Sequence, residues 1–406
     1  MVVLQINSVY DNTSSTGKII ESIHKIMMMK AGNNGYIAYG RHNNKLDTSK
    51  AIRIGNELDL YLNAIITRLF DLHGFGPKWS TIRLIEKIKQ ISPDIIHLHN
   101  LHGYYLNIME LFEYLKSSKA KIVWTLHDCW AFTGHCAHFD YVGCNKWQTA
   151  CYNCPQKNRY PKSWLIDSSF YNFRKKKELF TGIKYLTIVV PSNWLGKLVK
   201  KSFLREYHIE LIRNGIDLDT FRPRETSFRE RYGLVGKFII LGVASKWDER
   251  KGIKYFYELE HFLKDDEMIV LVGINKGNIK NTEKIIKIGK TENQQQLAEI
   301  YSAADVFVNT TLEDNFPTTN LEALACGTPV ITFKSGGSPE AIDEKTGFVV
   351  EKRDMDDLIN KIRYIKRVGK TNYTPHCREL VQKNYSDKDM AARYIALYER
   401  ILSKNQ

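Results

Sequence analysis

The chain has 406 residues, which is too long for one ordinary hydrophobic core and suits two α/β domains of about 200 residues each. No apolar run approaches the roughly 18 to 20 residues that span a bilayer, and the start MVVLQINSVYDN lacks the pattern of an export signal, so we expect a cytoplasmic protein without a transmembrane helix. The 59 Lys and Arg against 45 Asp and Glu give a net charge of +14, which favours anionic partners such as nucleic acid, anionic lipid or phosphorylated substrates.

Short apolar segments of strand length alternate with amphipathic segments of helix length, a pattern typical of doubly wound parallel sheets covered by helices on both faces. The predicted strands are Val2–Ile6, Tyr36–Tyr39, Asp94–His99, Ile122–Leu126, Leu186–Val190 and Ile209–Ile212, then Phe238–Val243, Met268–Val272, Ile285–Ile288, Asp305–Asn309 and Val330–Phe333. A turn signal at Asn214–Gly215 separates the two runs, so we predict domains at 1–214 and 215–385. Residues 386–406 predict an amphipathic terminal helix that could pack back on the first domain.

Polar residues follow several predicted strands of the first domain, at the edge where doubly wound sheets bind ligands. Gly17 follows the loop after the first strand, where it could approach a phosphate or an acceptor. The segments DIIHLHN and TLHDC place four candidate acceptor-side or catalytic residues after two further strands: His99, Asn100, His127 and Asp128. His97 alternates with His99 along its strand and is expected to be a packed structural histidine.

The most informative stretch of the second domain is EDNFPTTNLEALACG. Asn315 suits an N-cap and Pro317 the first helical position, so we predict a helix that begins there and runs to about Ala325. The N–H groups and positive dipole end of its first turn would stabilise a diphosphate. Asp314 could accept hydrogen bonds from sugar hydroxyls, and Glu322 could hold two vicinal hydroxyls such as those of a ribose.

This stretch resembles the signature of glycosyltransferase family 4, in which two acidic residues flank a helix N-terminus ahead of a run E-A-x-A-C-G-x-P-V. The segment RNGIDLDTFRP is similar to the interdomain segment of the same family, and the resemblance covers nearly the whole chain. It implies the GT-B fold, with two Rossmann-like domains that face a central cleft. The first acid here is Asp314 where the family usually has Glu, Glu313 lies next to it, and NFP replaces a glycine-containing turn.

The resemblance also implies roles for particular residues. Glu322 would hold the donor ribose and Asp314 the transferred sugar, which His127 would help to orient. The donor diphosphate would be gripped by Lys246 and Lys251, and the sugar and phosphates would contact the backbone of the turn formed by Asn315, Phe316, Pro317, Thr318 and Thr319. Gly17 could approach the donor phosphate, and the donor cleft would be bordered by Asn214 and Gly215.

The lysines could neutralise the diphosphate, so no catalytic metal is expected. Asp217 and Asp219 also satisfy the D-x-D pattern that binds a metal in another large class of glycosyltransferases. That tripeptide is common by chance, and inside a linker it is expected to be structural.

Five of the seven cysteines lie in a predicted Cys-rich insertion at 129–160, and four of them stand in the sequence GHCAHFDYVGCNKWQTACYNCPQ: Cys136, Cys144, Cys151 and Cys154. Four thiolates suit tetrahedral Zn²⁺, so one interpretation is a structural zinc site that staples a long loop with little core of its own. His135 and His138 could substitute for a cysteine ligand. Reduced, partly buried thiols and a disulfide pair are the alternatives.

The resemblance implies a retaining glycosyltransferase that moves a sugar from a nucleoside diphosphate sugar to a glycan. The segments HLHNLHGYYLNI, TLHDCWAFTGHC and EDNFP resemble a subgroup from bacterial gene clusters for capsule, O-antigen, lipopolysaccharide or exopolysaccharide synthesis, which implies a lipid-linked acceptor. A nucleotide-sugar epimerase of the same fold is one alternative. A basic, zinc-containing nucleic-acid-binding protein is another, but the chain lacks a basic motif interleaved with aromatics, so no nucleic-acid partner is expected.

The segment SWLIDSSFYNFRKKKELFTGIKYL combines apolar and basic side chains in a way that suits the headgroup region of an anionic leaflet. The apolar residues are Trp164, Leu165, Phe170, Phe173, Leu179 and Phe180, and the basic residues are Arg174, Lys175, Lys176, Lys177 and Lys184. A surface helix with a solvated charged face is the alternative. With a lipid-linked acceptor, we expect peripheral binding at the inner face of the cytoplasmic membrane.

Overall fold

The computed structural model describes residues 1–11, 14–42, 50–274 and 282–403. The chain divides into two compact units. We call Met1–Arg213 together with Met390–Gln406 the N-terminal unit, and Asn214–Asp389 the C-terminal unit. Within the described ranges, no helix is both long enough and apolar enough to cross a membrane.

The described part of the N-terminal unit is built around one parallel sheet. Its strands are β1 (Val2–Tyr10), β2 (Asn34–His42), β3 (Ala51–Arg53), β4 (Ile95–Leu98), β5 (Lys121–Thr125), β6 (Leu186–Val190) and β7 (His208–Leu211), paired in the order β3-β2-β1-β4-β5-β6-β7. Its helices are α1 (Ser15–Met29), α2 (Glu57–Phe70), α3 (Trp79–Ile91), α4 (Ile108–Ser117), α5 (Ser169–Phe180) and α6 (Asn193–Lys201). The terminal helix α13 (Asp387–Ser403) belongs to this unit from Met390 onward.

The described part of the C-terminal unit contains a second parallel sheet. Its strands are β8 (Phe238–Val243), β9 (Glu267–Val272), β10 (Ile285–Ile288), β11 (Val306–Asn309), β12 (Val330–Phe333) and β13 (Gly347–Val350), paired in the order β10-β9-β8-β11-β12-β13. The helices are α7 (Phe228–Arg231), α8 (Ile253–Glu260), α9 (Gln294–Ala303), α10 (Thr318–Ala325), α11 (Met355–Val368) and α12 (Thr374–Asn384). The predicted α/β class and doubly wound sheets are confirmed.

The apolar runs of the strands are buried because each sheet of this kind has helices on both of its faces. In β1, the neighbouring residues Val3 and Leu4 are both fully buried but belong to different hydrophobic clusters, since alternate side chains point to opposite faces of a sheet. The cluster around Val3 includes Tyr394 and Tyr398 of α13, so the terminal helix covers one face of this sheet.

Two strands were not predicted from the sequence. β3 has only two apolar residues and β13 begins with Gly347, a residue type depleted in strands, and both strands lie at sheet edges. β1 is longer than predicted, because the polar residues after Ile6 continue its pairing with β2 as far as Tyr10.

Candidate active site

The C-terminal unit brings several predicted donor-site residues to one edge of its sheet. All its strands are parallel, so the segments after β8, β11 and β12 emerge on the same side. The Leu312 N–H donates to the Arg250 carbonyl at 2.7 Å, and the Gly337 N–H donates to the Asp314 carbonyl at 3.0 Å. The sheet reverses its strand order between β8 and β11, and ligands of doubly wound sheets bind at such a point.

Lys251 and Asp314 form an ion pair at this edge, with 22% and 21% of their side chains exposed, so both remain accessible to a ligand. Two further contacts hold the lysine loop in place. The Lys251 N–H donates to the Asp248 carboxylate at 2.9 Å, and the Arg250 guanidinium donates to the Glu313 carbonyl at 2.9 Å. The structure therefore brings together one cation and one acid that were predicted to contact the donor.

Two glycines allow these loops to approach each other closely. Gly252 has a φ of +73°, and a Cβ there would lie 2.1 Å from the Thr310 carbonyl oxygen. Gly336 has a φ of +55°, and its Cβ would lie 1.9 Å from the Asp314 carbonyl oxygen. Both positions therefore require a residue without a side chain.

The helix after Asp314 begins one residue later than predicted. α10 starts at Thr318, and Pro317 occupies the N-cap position with an extended backbone, so the prediction of Asn315 as N-cap and Pro317 as first helical residue is wrong. The backbone of a residue that precedes proline is biased away from the helical region, which disfavours an earlier start. Among the described residues, no side chain caps this helix, and Thr318 and Thr319 are partly exposed.

Glu322 is a buried residue of α10, with 5% exposure. The Tyr301 hydroxyl donates a hydrogen bond to Glu322 Oε2 at 3.1 Å. Burial, together with the charge of this carboxylate, raises the pKa of Tyr301 well above its usual value, which keeps the phenol a hydrogen-bond donor. Tyr301, which the sequence did not indicate, thus positions the predicted ribose ligand.

The remaining predicted donor residues differ in their surroundings. Lys246 is exposed in the loop after β8, the same loop that carries Lys251. The Asn214 side chain donates to the Phe316 carbonyl at 3.2 Å, so the start of the C-terminal unit contacts the predicted donor turn. Gly215 has no room for a side chain, because a Cβ would lie 2.5 Å from the Ser386 carbonyl oxygen.

Asp217 uses its carboxylate within its own turn. It accepts hydrogen bonds from the N–H groups of Asp219 and Thr220 and from the Thr220 hydroxyl. Burial would raise the pKa of Asp217, but these hydrogen bonds hold it below its usual range. Asp219 instead pairs with Lys388 at 2.9 Å, so the two acids of the D-x-D tripeptide serve separate local contacts.

In the N-terminal unit, the structure brings His99 and His127 together at the ends of β4 and β5. His99 Nδ1 lies 3.1 Å from His127 Nε2, and the planes of the two rings differ by only 13°. Gln5 of β1 bonds the other nitrogen of His99 at 3.3 Å. His97 is fully buried and lies 2.8 Å from the Thr125 hydroxyl and 2.6 Å from the Tyr398 hydroxyl, so it packs within the core.

Burial keeps these imidazoles neutral. It lowers the pKa of His127 to about 4, against the opposing charge of Asp128, and it lowers the pKa of His99 well below its usual value. At neutral pH His127 therefore offers a neutral imidazole, which can hydrogen-bond a hydroxyl without repelling a cation.

Asp128 belongs to a hydrogen-bonded chain with two residues that sequence reasoning missed. Its carboxylate lies 2.7 Å from His102 Nε2, and His102 Nδ1 lies 2.8 Å from the Tyr160 hydroxyl. Burial alone would raise the pKa of Asp128, but the charge and hydrogen bond of His102 hold it below its usual range. His102 stands in the quoted segment HLHNLHGYY and could have been included, whereas Tyr160 follows 58 residues later and carries no local signal.

Asn100 and Gly17 lie at the same edge of this sheet. The Asn100 N–H donates to the Asn7 side chain at 3.1 Å, and Asn7 in turn contacts the Thr16 hydroxyl at 3.4 Å. Gly17 lies in the first turn of α1 against β1, where a Cβ would be 2.2 Å from the Asp11 carbonyl oxygen. Asn100 therefore keeps a partly exposed side chain at the edge, while Gly17 is buried.

Four of the five cysteines of the insertion, all except Cys129, line one small cavity, and none of the seven cysteines, all of which are described, forms a disulfide. Contact with Cys136 lowers the pKa of Cys154 to about 7, while burial raises that of Cys151 to about 12. His135 pairs with Asp71, and His138 is partly exposed. Three aromatic rings of the loop, Phe132, Phe139 and Trp147, are buried against one another, and they belong to the same hydrophobic cluster as the sheet of the N-terminal unit.

Lys176 does not belong to an exposed basic run. It is 1% exposed, and its ammonium group donates to the carbonyls of Trp130 and Thr133 and lies 3.4 Å from the centre of the Trp130 ring. Burial lowers its pKa to about 7. Phe173, Leu179 and Phe180 are buried as well, so these four residues cannot contact a membrane surface as predicted.

Both sheets thus carry polar and charged groups at the edges where their parallel strands end. Solved structures show the same fold. A sucrose-phosphate synthase from Thermosynechococcus elongatus matches with a TM-score of 0.72, at 18% identity over 100% of both chains. Anabaena HepE in complex with UDP and glucose matches with a TM-score of 0.68, at 12% identity over 98% of this chain and 100% of that chain. The fold is that of the GT-B glycosyltransferases.

Sequence comparisons give the family. The model of Glycosyltransferase Family 4 matches residues 58–220, and that of Glycosyl transferases group 1 matches residues 237–366. The putative colanic acid biosynthesis glycosyl transferase WcaC of Escherichia coli is 25% identical over 84% of each chain. The N,N'-diacetylbacillosaminyl-diphospho-undecaprenol alpha-1,3-N-acetylgalactosaminyltransferase of Campylobacter jejuni is 28% identical over 49% of this chain and 56% of that protein. The chain is a group 1 glycosyltransferase and belongs to family 4, as the sequence signature indicated.

Proposed function

We propose that this glycosyltransferase takes a sugar from a nucleoside diphosphate sugar and adds it, with retention at the anomeric carbon, to a lipid-linked glycan of a bacterial surface polysaccharide. The observation that carries the donor assignment is the Lys251–Asp314 pair at the end of β8 and β11, followed directly by the first turn of α10. The structures of HepE with UDP and with UDP-glucose support a nucleotide-sugar donor. Similarity to the putative colanic acid biosynthesis glycosyl transferase WcaC supports a role in surface polysaccharide synthesis. Similarity to the Campylobacter transferase, which is named for a diphospho-undecaprenol substrate, supports a lipid-linked acceptor.

In this proposal the diphosphate lies between Lys251, Lys246 and the N–H groups of Thr318 and Thr319. The lysines supply full charges and the helix end supplies oriented dipoles, so negative charge that develops on the leaving group is stabilised. Asp314 then releases Lys251 to the phosphate and accepts hydrogen bonds from the sugar. Glu322 accepts hydrogen bonds from the ribose while Tyr301 holds its second oxygen.

The transfer itself needs no covalent intermediate with the protein. The bond from the anomeric carbon to the diphosphate oxygen breaks, and the acceptor oxygen forms its bond on the same face. The departing diphosphate takes the proton of the acceptor hydroxyl. His127, neutral at working pH, orients the sugar by hydrogen bonding, and His99, Asn100 and Asp128 line the acceptor side.

We expect transfer to persist in EDTA, because Lys246 and Lys251 supply the positive charge that Mg²⁺ or Mn²⁺ supplies in metal-dependent enzymes. The measurement is release of labelled sugar from the donor by metal-stripped enzyme, with folding checked by circular dichroism on the same sample. Loss of all turnover, restored by Mg²⁺ or Mn²⁺ but with folding unchanged, would show that the transfer depends on a divalent metal.

We also propose that one surface of the N-terminal unit binds an anionic membrane. The segment 163–168 runs beside the end of α2, where the Trp164 N–H donates to the Arg68 carbonyl at 2.7 Å and the Arg68 guanidinium lies 5.3 Å from the Trp164 ring. Six large apolar side chains are 45 to 68% exposed here: Phe70, Trp164, Leu165, Ile166, Phe170 and Tyr171. Basic residues beside them are also exposed, namely Arg68, Lys162, Arg174 and Lys177. Apolar insertion and charge attraction therefore act on one surface.

Replacing Arg174 and Lys177 by Gln should weaken binding to anionic vesicles, because each basic residue near such a surface contributes about 1 kcal/mol. The matched control is Lys200→Gln with Lys201→Gln, which removes two exposed charges from α6 of the same unit. Co-sedimentation with neutral and anionic liposomes at increasing NaCl measures the effect, which salt should screen. Equal recovery of wild type and both double variants from either vesicle type would contradict this membrane assignment.

A further inference from the structure

The Cys-rich insertion holds a cluster of thiols that the transfer reaction does not use. We propose that Cys136, Cys144, Cys151 and Cys154 bind one structural Zn²⁺ ion. The four residues come from three turns of the chain yet line a single cavity of about 10 Å³. Four thiolates around one small space are the usual donor set of a structural zinc site. The zinc proposal can be tested separately from the proposed transfer, because the metal content of the protein can be measured without any substrate.

The two cysteines of the C-x-x-C sequence are held by a preformed turn. Asn153, between them, has a φ of +44°, a left-handed conformation that Asn adopts more readily than most residues. The Lys146 ammonium group donates to the carbonyls of Tyr152 and Asn153 at 3.0 and 3.1 Å. These contacts fix the backbone that carries Cys151 and Cys154, so two ligands need little ordering on binding.

The sulfur of Cys151 receives a backbone hydrogen bond. The Gly134 N–H donates to Cys151 Sγ at 3.2 Å, and Gly134 is packed so closely that a Cβ would lie 2.0 Å from the Ser169 carbonyl oxygen. A hydrogen bond from an N–H group is stronger when the acceptor is ionised, so this contact opposes the effect of burial and would stabilise a zinc-bound thiolate at Cys151. Only a glycine can supply the donor at this distance.

Lys176 would supply positive charge next to the cluster once the cysteines are ionised, because negative charge nearby favours its protonated form. A Zn²⁺ ion with four thiolates carries a net charge of −2, and buried charge is costly unless it is compensated nearby. The Lys176 ammonium group is buried beneath the insertion, and its electrostatic neighbours include Cys151 and Cys136. Its two hydrogen bonds go to the carbonyls of Trp130 and Thr133, and Thr133 also lines the cavity of the four cysteines.

Within the described ranges, no three Cys, His, Asp or Glu side chains already stand in a coordination shell. Zinc binding would therefore require the four sulfurs to move to zinc–sulfur distances of about 2.3 Å. The thiols release their protons to solvent in the process. The closed site links three turns of the insertion around the rings of Phe139 and Trp147.

Elemental analysis of wild-type protein purified without added metal should find about one zinc per chain. Cys151→Ser with Cys154→Ser should carry less than a tenth of that amount, because the preformed pair of ligands is lost. The matched control is Cys377→Ala, which removes a buried thiol from α12 of the C-terminal unit and should leave the zinc content unchanged. Folded wild-type protein that contains no zinc and takes up none from a zinc-buffered solution would overturn the proposal.

A second measurement does not depend on variants that fold. Metal-stripped wild-type protein titrated with Co²⁺ should show thiolate-to-cobalt charge-transfer absorption and tetrahedral ligand-field bands that saturate at one equivalent. The native holoprotein should protect four thiols from alkylation, and a zinc chelator should expose them. A spectrum without the charge-transfer band, or a disulfide between any two of the four cysteines in freshly purified protein, would exclude the site.

Discussion

Glu322→Gln and Lys251→Ala should each lower kcat/KM for sugar transfer by about 10- to 150-fold or more. Each change removes a charged hydrogen-bond partner of the donor, which contributes about 1.5 to 3 kcal/mol before any additional effect in the transition state. Gln keeps an oxygen that can accept the Tyr301 hydrogen bond, so the first variant removes charge with little change of shape. Lys251→Ala should act mainly through the diphosphate and should therefore weaken binding of the free nucleoside diphosphate as well.

The control for Lys251 is Lys254→Ala, an exposed lysine one turn further along, at the start of α8. This control should retain near wild-type transfer. The measurements are initial rates at several donor concentrations and calorimetric titration with UDP. Wild-type kcat/KM in both Glu322→Gln and Lys251→Ala would show that the donor does not bind at this edge of the sheet.

The N-terminal unit should lose stability as the pH falls from about 6.5 to 4. Burial lowers the pKa values of His73, His97, His99 and His127, and that of His127 falls to about 4 from 6.5. Between these values the unfolded chain binds more protons than the folded chain, so the free energy of unfolding decreases with decreasing pH. A shift of this size at His127 alone corresponds to about 3 kcal/mol at the acid end. Asp128 affects this pH dependence only at lower pH. Its pKa is lower in the folded protein than in the unfolded chain, so its stabilising contribution is lost only when the pH falls below the ordinary pKa of an aspartate.

The test compares the midpoint of thermal unfolding for wild type and His127→Gln at several pH values from 7.5 to 4. Gln cannot take up a proton, so the variant should lose less stability on acidification than wild type does. Contributions from the cysteine cluster are common to both proteins and cancel in the comparison. Parallel curves for the two proteins would contradict a neutral, buried His127.

The sequence predicted the doubly wound fold because short apolar segments of strand length alternate with longer amphipathic segments of helix length. The edge strands β3 and β13 escaped prediction because β3 has only two apolar residues and β13 begins with glycine, which is depleted in strands. The burial of Lys176 was missed for a different reason. One face of α5 carries Phe173, Lys176 and Phe180, which are spaced three and four residues apart. The helical period therefore already indicated that Lys176 lies on the same face as two phenylalanines. The membrane prediction followed the positive charge of Lys176 and not its position on the helix, and it is wrong for this residue.

The predicted donor-site residues lie mostly within short segments of known signature, which is why the sequence could indicate them. The groups that support them come from elsewhere in the chain. Tyr301 reaches Glu322 from the preceding helix, and Tyr160 reaches Asp128 through His102 from the Cys-rich insertion. Such contacts depend on how the sheet gathers distant segments, and a single sequence carries no signal for them.

The most direct test of the proposed activity is product analysis of purified enzyme with a nucleoside diphosphate sugar, in the presence and absence of a polyprenyl-diphosphate-linked glycan. We predict that the labelled sugar moves to the lipid fraction only when the acceptor is present, that one nucleoside diphosphate is released for each sugar transferred, and that the new glycosidic bond has the anomeric configuration of the donor. Conversion of the donor into an epimer without acceptor, or an inverted linkage in the product, would contradict a retaining transferase.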